Sequence, residues 1–270
     1  MVRRDVRRLP RSLEPRARWP PIVTHSSRLL PVRYRGEPAI LKMAVEAEEK
    51  WGGLLMLWWH GEGAARVLAC DENVLLLERA EDTGALIAMA HGGQDKDGEA
   101  SRIICGVAAR LHAPRTTAPP ELFPLKEWFG YLETAAGKYG GIFVRASVTA
   151  RELLDHPREV VPLHGDLHHG NVLDFGPRGW LAIDPKHLIG ERGFDFVNIF
   201  CNRFEVATAP GRLAEQVRVV AEAARLDQQR LLQWILAWSG LLASWTLNDG
   251  DATLPLTVAE LAAAELGAPG

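Results

Sequence analysis

Residues 162–184 read PLHGDLHHGNVLDFGPRGWLAID, a stretch that holds His164, Asp166, His168, His169, Asn171 and Asp184. Two chemistries compete for it. Three histidines with Asp166 supply enough ligands for a tetrahedral zinc site. The spacing that sets two histidines on one helical face is absent, however, and Gly165 and Gly170 disfavour a helix here. The second chemistry starts from oxygen donors. Asp166 and Asn171 bracket a glycine-flanked loop, and Asp184 ends the apolar run that follows. One carboxylate can orient an attacking hydroxyl and accept its proton, while an amide oxygen and a second carboxylate hold magnesium, a hard cation that takes oxygen ligands and keeps several waters. That division of labour, spread over His-x-Asp-x-x-x-x-Asn running into Asp, suits phosphoryl transfer.

Working outward, NVLDF and WLAID read as short strands joined by the turn GPRG. Upstream, PAILK (38–42) reads as a strand ending in Lys42. The following AVEAEEKWGGLLMLWW reads as a helix with an acidic first half, weakened by Gly52-Gly53. ARVLA (65–69) and NVLLLE (73–78) are apolar runs on either side of a tight connection. From there the pattern turns helical. The spacing predicts helices over 101–111, 121–139, 147–154 with Ser147 as N-cap, 213–224 and 231–245. Trp234, Trp238 and Trp245 fall at core spacing in the last of these. The expected fold is α+β and bilobal, with a small β-rich lobe over 1–79 and a larger, mainly helical lobe over 80–270.

With 47% hydrophobic residues in 270, the chain can bury a sizeable core. A net charge of −3 provides no global field for nucleic acid or an anionic membrane. The Arg- and Pro-rich start lacks the apolar core of a signal peptide, and the apolar run 231–247 is short for a membrane span. Cys70, Cys105 and Cys201 are odd in number and widely spaced, which suits small buried residues in a reducing compartment. The expectation is a cytoplasmic protein, monomeric, with neither nucleic acid nor membrane as partner.

The stretch LHGDLHHGNVLDFGPRGWLAIDPKHLIGERGFDFVNIFCN resembles the aminoglycoside and hydroxyurea antibiotic resistance kinases, nearest the streptomycin 6-phosphotransferases. The likeness extends through PAILK, WWHGEGAARVLA and LLLERA to LLQWILAWSGLLASW, covering about residues 23–250. It implies a protein-kinase-like fold and ATP-dependent phosphorylation of an antibiotic hydroxyl, with ATP and magnesium as cofactors. Streptomycin, at a hydroxyl of its streptidine ring, is the substrate it implies, with hydroxyurea or a non-catalytic kinase-like binder as alternatives. Carried over residue by residue, Asp166 is the catalytic base, Asn171 and Asp184 are metal ligands, and Lys42 pairs with ATP phosphates. Glu49, with Glu48 as rival, is the helix carboxylate facing Lys42. The main chain of Glu78, Arg79 and Ala80 meets adenine, and Ser26 and Ser27 cap the phosphates. His164 and Asp195 support the loop. His168 and His169 either contact substrate or support the loop, and Asp249, Asp251 and Glu260, with Asn248 beside them, are the carboxylates available to the guanidinium groups of streptomycin. The chain departs from the family at Gly170, where glutamate is usual, at His187, where glycine is usual, and over residues 1–22, an atypical and potentially disordered start.

Overall fold

A computed structural model describes residues 14–15, 22–23, 27–44, 47–71, 74–201, 207–247 and 250–267. The first part is a six-stranded sheet built from β1 (Glu14–Pro15), β2 (Ile22–Val23), β3 (Ser27–Tyr34), β4 (Glu37–Ala44), β5 (Val67–Asp71) and β6 (Val74–Glu78). Its path is β1-β3-β4-β6-β5, with β2 paired to β3. β3 and β4 form a two-residue hairpin in which Tyr34 opposes Glu37. Arg35 and Gly36 both take positive φ there, the geometry whose twist matches that of the flanking strands. Lys42 on β4 sits opposite Leu75 of β6 and Leu29 of β3, in the middle of the sheet.

Helix α1 (Ala47–Trp59) lies between β4 and β5. Its two glycines, which weaken its helical signal, are places of close approach. A Cβ on Gly52 would collide with the Pro185 carbonyl oxygen, and one on Gly53 would lie 2.9 Å from Leu75 Cδ1. Helix propensity is given up for packing against the segment that carries Asp184.

The remainder is mainly helical: α2 (Ala85–Ala90), α3 (Gln94–Leu111), α4 (Gly130–Tyr139), α5 (Ile142–Asp155), α6 (Arg212–Ala224), α7 (Gln228–Thr246) and α8 (Thr253–Gly267). A small sheet in the order β7-β11-β8 joins Phe123–Pro124, Leu188–Glu191 and Val160–Leu163, and the hairpin β9 (Val172–Asp174) and β10 (Trp180–Ala182) stands beside it. The main core packs Trp59, Leu86, Ile104, Phe194, Phe196, Phe200, Trp234 and Trp238 among the helices. A second cluster joins the two parts, with Met56, Ala65 and Leu77 set against Leu173, Phe175 and Leu181. No described helix is long and apolar enough to cross a membrane. α7, which carries the apolar run, is buried at Leu231, Trp234, Ile235, Leu236, Trp238 and Leu241.

Three expectations need correction. Residues 121–139 are not one helix: Phe123–Pro124 is a strand whose Phe123 N–H donates to the His187 carbonyl (3.1 Å), and a 3-10 turn over Leu125–Phe129 precedes α4. Pro124 sits with extended backbone at the N-cap of that turn and ends the strand rather than starting a long helix. Ser147 is not an N-cap but lies buried inside α5, which begins after Gly140 and Gly141, both at positive φ. Helix α3 starts at Gln94, seven residues before Ser101, behind Gly93 and with Asp95 and Asp97 in its first turn. Cys105 and Cys201 are buried, and burial pushes their thiols up to about 12 and about 11; Cys70 is partly buried.

Candidate active site

Strand β8 delivers the chain to His164, and the loop that follows is fastened from below. Asp195, 1% exposed on a 3-10 helix over Arg192–Ile199, accepts from the backbone N–H of Gly165 (2.7 Å) and His164 (2.9 Å) and from His112 Nε2 (2.7 Å). Burial alone would raise this carboxyl, but the His112 hydrogen bond and charge reverse that, with help from His164 and the Gly165 amide, and hold it below the usual carboxylate range. Gly165 takes φ +78, and a Cβ there would press on Leu188 and Lys186. His164 is fully buried and uses both ring nitrogens on backbone: Nε2–H donates to the Ile183 carbonyl (2.8 Å) and Nδ1 accepts from the Asp166 N–H (3.2 Å). Burial lowers its pKa, so it stays neutral, as that bonding requires. A ring committed in this way is a brace and not a zinc ligand.

The carboxylate of Asp166 is oriented by two amides. Asn171 Nδ2 donates to its carbonyl oxygen (2.9 Å) and to Oδ2 (3.3 Å), and Asn198 Nδ2 donates to Oδ1 (3.3 Å). Asn198 is in turn aimed by Trp238, whose Nε1–H donates to its Oδ1 (3.0 Å). Asn171 commits its amide nitrogen to Asp166, and its amide oxygen is an acceptor only. The Ile183 N–H donates to the Asn171 carbonyl (2.9 Å), which sets Asp184 beside Asn171. Asp184 adopts a left-handed backbone, φ +65, a strained state that Asp tolerates better than most residues. Its carboxylate meets the Lys42 ammonium. Lys42, Asp166, Asn171 and Asp184 therefore converge between the sheet and the helical body. The set is one ammonium and three oxygen donors, matching what a hard divalent cation and a polyphosphate require.

His168 is drawn into the same loop. Its Nδ1 accepts from the Gly170 N–H (2.9 Å), and Nε2 stands 3.7 Å from Asp166 Oδ1, beyond hydrogen-bond range. Burial, with His164 and Lys186 acting in the same sense, pushes it down to about 4. Gly170 permits this turn: a Cβ there would lie 3.0 Å from the His168 ring. His169 is buried, 6% exposed. Ser27 is buried at the start of β3, opposite Ala44. Glu78 does not face the cleft with its side chain, which pairs with Arg178 and accepts the Arg66 N–H (2.6 Å), while its own N–H donates to the Arg66 carbonyl (3.0 Å). The Glu81 and Asp82 N–H groups go to the Asp174 carbonyl (2.8 and 3.2 Å), so Arg79 and Ala80 span the connection between two anchored ends. Glu49 lies on α1, but its side chain, like that of Glu48, falls outside the described residues, as do Ser26, Asn248 and Asp249. Asp251 accepts the Thr253 N–H (2.9 Å) at the start of α8, and Glu260 is exposed.

Asn198, Trp238, His112 and Arg178 are the site residues that sequence reasoning misses. Only Asn198 carried a signal. A 3-10 helix has three residues per turn, so Asp195 and Asn198 share one face and both reach the loop.

A small sheet over a helical body, with oxygen donors and a lysine gathered between them, defines the protein-kinase-like fold. The chain belongs to the aminoglycoside/hydroxyurea antibiotic resistance kinases, whose family model matches residues 14–250. The atypical start is thus narrower than residues 1–22, since the match includes 14–22. The chain is 52% identical over 247 residues to a streptomycin 3''-kinase of Klebsiella pneumoniae, covering 89% of this chain and 92% of that protein. It is 33% identical over 242 residues to a streptomycin 6-kinase of Streptomyces griseus, covering 83% and 76%. Among solved structures, a thermostable mutant of aminoglycoside phosphotransferase APH(4)-Ia in ternary complex with AMP-PNP and hygromycin B matches with a TM-score of 0.67, at 13% identity, over 95% of this chain and 96% of that one. That likeness concerns the fold alone.

Proposed function

We propose that the protein transfers the γ-phosphoryl group of ATP to streptomycin, at the 3''-hydroxyl rather than at the streptidine 6-position to which the sequence resemblance pointed. The convergence of Lys42, Asn171 and Asp184 on the Asp166 loop carries the phosphotransfer reading. The 52% identity, against 33% to the 6-kinase, supports the choice of hydroxyl. Asp166 accepts a hydrogen bond from the acceptor hydroxyl, lines its oxygen up with the γ-phosphorus and takes the proton as the bond to phosphorus forms. Asn171 and Asn198 hold that carboxylate in place. Lys42 pairs with the phosphates, and Glu49 on α1 is the carboxylate that steadies it once Asp184 turns to other duty. Asn171 Oδ1 and the Asp184 carboxylate would hold magnesium, which when bound neutralises charge on the phosphate oxygens. The Arg79–Ala80 main chain receives adenine, and Ser27 lies toward the phosphates. In this reading 1–79 is the nucleotide-binding lobe, 80–270 carries the acceptor, and the protein works in the cytoplasm, where ATP is supplied.

The test is ATP consumption with streptomycin, other aminoglycosides and hydroxyurea, followed by the mass of the product and its phosphorus–proton couplings. Streptomycin should gain one phosphate, with the coupling at the 3'' proton. Coupling at position 6 would reverse the choice of hydroxyl, and no phosphorylated product from any acceptor would leave a kinase-shaped binder. A second result is expected from Asp184→Ala. In the wild type, magnesium should tighten ATP binding; in the variant, titrations with and without magnesium should coincide. A variant that still responds to magnesium would remove Asp184 from the metal set.

A further inference from the structure

Beside the Asp166 loop stands an aromatic cluster that the phosphotransfer chemistry does not use. Trp51 on α1 and Phe123 on β7 are 40% and 55% exposed, although large apolar side chains of this kind are ordinarily covered. His187 lies between them, 4% exposed. The Trp51 and His187 rings stack with centroids 5.4 Å apart at 18°, and the Phe123 ring tilts against His187 at 5.6 Å. His187 is held from several sides: its Nε2–H donates to the Glu121 carbonyl (2.9 Å), its own carbonyl accepts the Phe123 N–H (3.1 Å), and its backbone is left-handed at φ +55. The ring is thus seated between two partly exposed aromatic side chains and fixed there by its own hydrogen bond.

The cluster is within reach of the reacting atoms. His187 follows Asp184 by three residues, a span of at most about 11 Å. Lys186, between them, donates its N–H to the His164 carbonyl (2.7 Å), and Gly165 packs on Lys186 and Leu188. The wall therefore adjoins the loop that presents Asp166, with the exposed Glu121 at its edge. Aromatic faces attract planar, weakly hydrated cations, and guanidinium is the best matched of these. Streptomycin carries two guanidinium groups on its streptidine ring. If its 3''-hydroxyl faces Asp166, those groups lie away from the phosphate and need a site of their own.

We propose that Trp51, His187 and Phe123 form an acceptor-side wall that receives a guanidinium group of streptomycin, an assignment that rests on the streptomycin reading above. Steady-state kinetics of the full-length protein test it with Trp51→Phe, Trp51→Leu and Phe123→Ala. Trp51→Leu and Phe123→Ala should each raise KM for streptomycin about tenfold, while KM for ATP moves less than twofold. Trp51→Phe, which keeps a π face, should stay near the wild-type value. Because Phe123 lies outside α1, its variant remains decisive if Trp51→Leu disturbs the helix. Streptomycin turnover by the wild type with unchanged KM in Phe123→Ala, or Trp51→Leu as good as Trp51→Phe, would overturn the wall and leave the function standing. No streptomycin turnover by the wild type would overturn both.

Discussion

Replacing Asp166 by alanine should reduce kcat by about three orders of magnitude or more and leave the fold intact, since a positioned base and the orientation it imposes contribute on that scale. The structure explains why these two effects separate. The Asp166 carboxylate accepts long amide contacts, 3.3 Å each, from Asn171 and Asn198. The loop itself is fastened through backbone: Asp195 takes the His164 and Gly165 N–H groups, His164 takes the Asp166 N–H, and Asn171 holds the Asp166 carbonyl. None of these needs the Asp166 side chain. ATP affinity should also change little, because Lys42 and Asp184 meet one another without it. Single-turnover phosphorylation, ATP titration and a melting curve measured together decide the matter. Turnover within tenfold of wild type would remove Asp166 from the base role, and a large loss of melting temperature would make the effect structural.

The half of the candidate site proposed to carry the chemistry was legible because it is local. Asp166, Asn171 and Asp184 lie within one stretch, their residue types suit one reaction, and Gly165 and Gly170 disfavour the helix a zinc motif would need. The supporting half is not local. His112 meets Asp195 across 83 residues, Trp238 meets Asn198 across 40 and Arg178 meets Glu78 across 100, and no periodicity encodes such pairings. Elements with one apolar face were visible for the same physical reason that α8 was not. Its residues, TLPLTVAELAAAELG, are apolar around most of the helix, so no polar face sets the period, and its acids suggested a substrate-facing tail instead. Helix boundaries depart from expectation at glycine and proline: α3 begins behind Gly93, α5 behind Gly141, and Pro124 ends a strand.

The largest stability effect should come from Asp195. Asp195→Ala leaves the N–H groups of His164, Gly165 and His112 buried without their acceptor, a loss of about 3–5 kcal/mol by analogy with broken buried pairs. For a chain of this size that lowers the melting temperature by roughly 10 °C. Asp195→Asn keeps the shape but offers one oxygen where the carboxylate offers two, so it should fall between wild type and alanine. The pH dependence separates charge from shape. Because its folded pKa is depressed, Asp195 binds a proton less readily in the native chain than in the unfolded one, so its stabilisation is present above the unfolded value of about 3.9 and is lost as pH falls through the folded value. Melting curves at neutral pH should therefore show a wide gap between wild type and Asp195→Asn that narrows below pH ~4. The asparagine variant should also lose turnover, since the loop it loosens is the one proposed to present Asp166 to the acceptor. A gap independent of pH would mean that Asp195 holds the loop by packing and not as a carboxylate, and the hydrogen-bonded brace beneath the site would have to be abandoned.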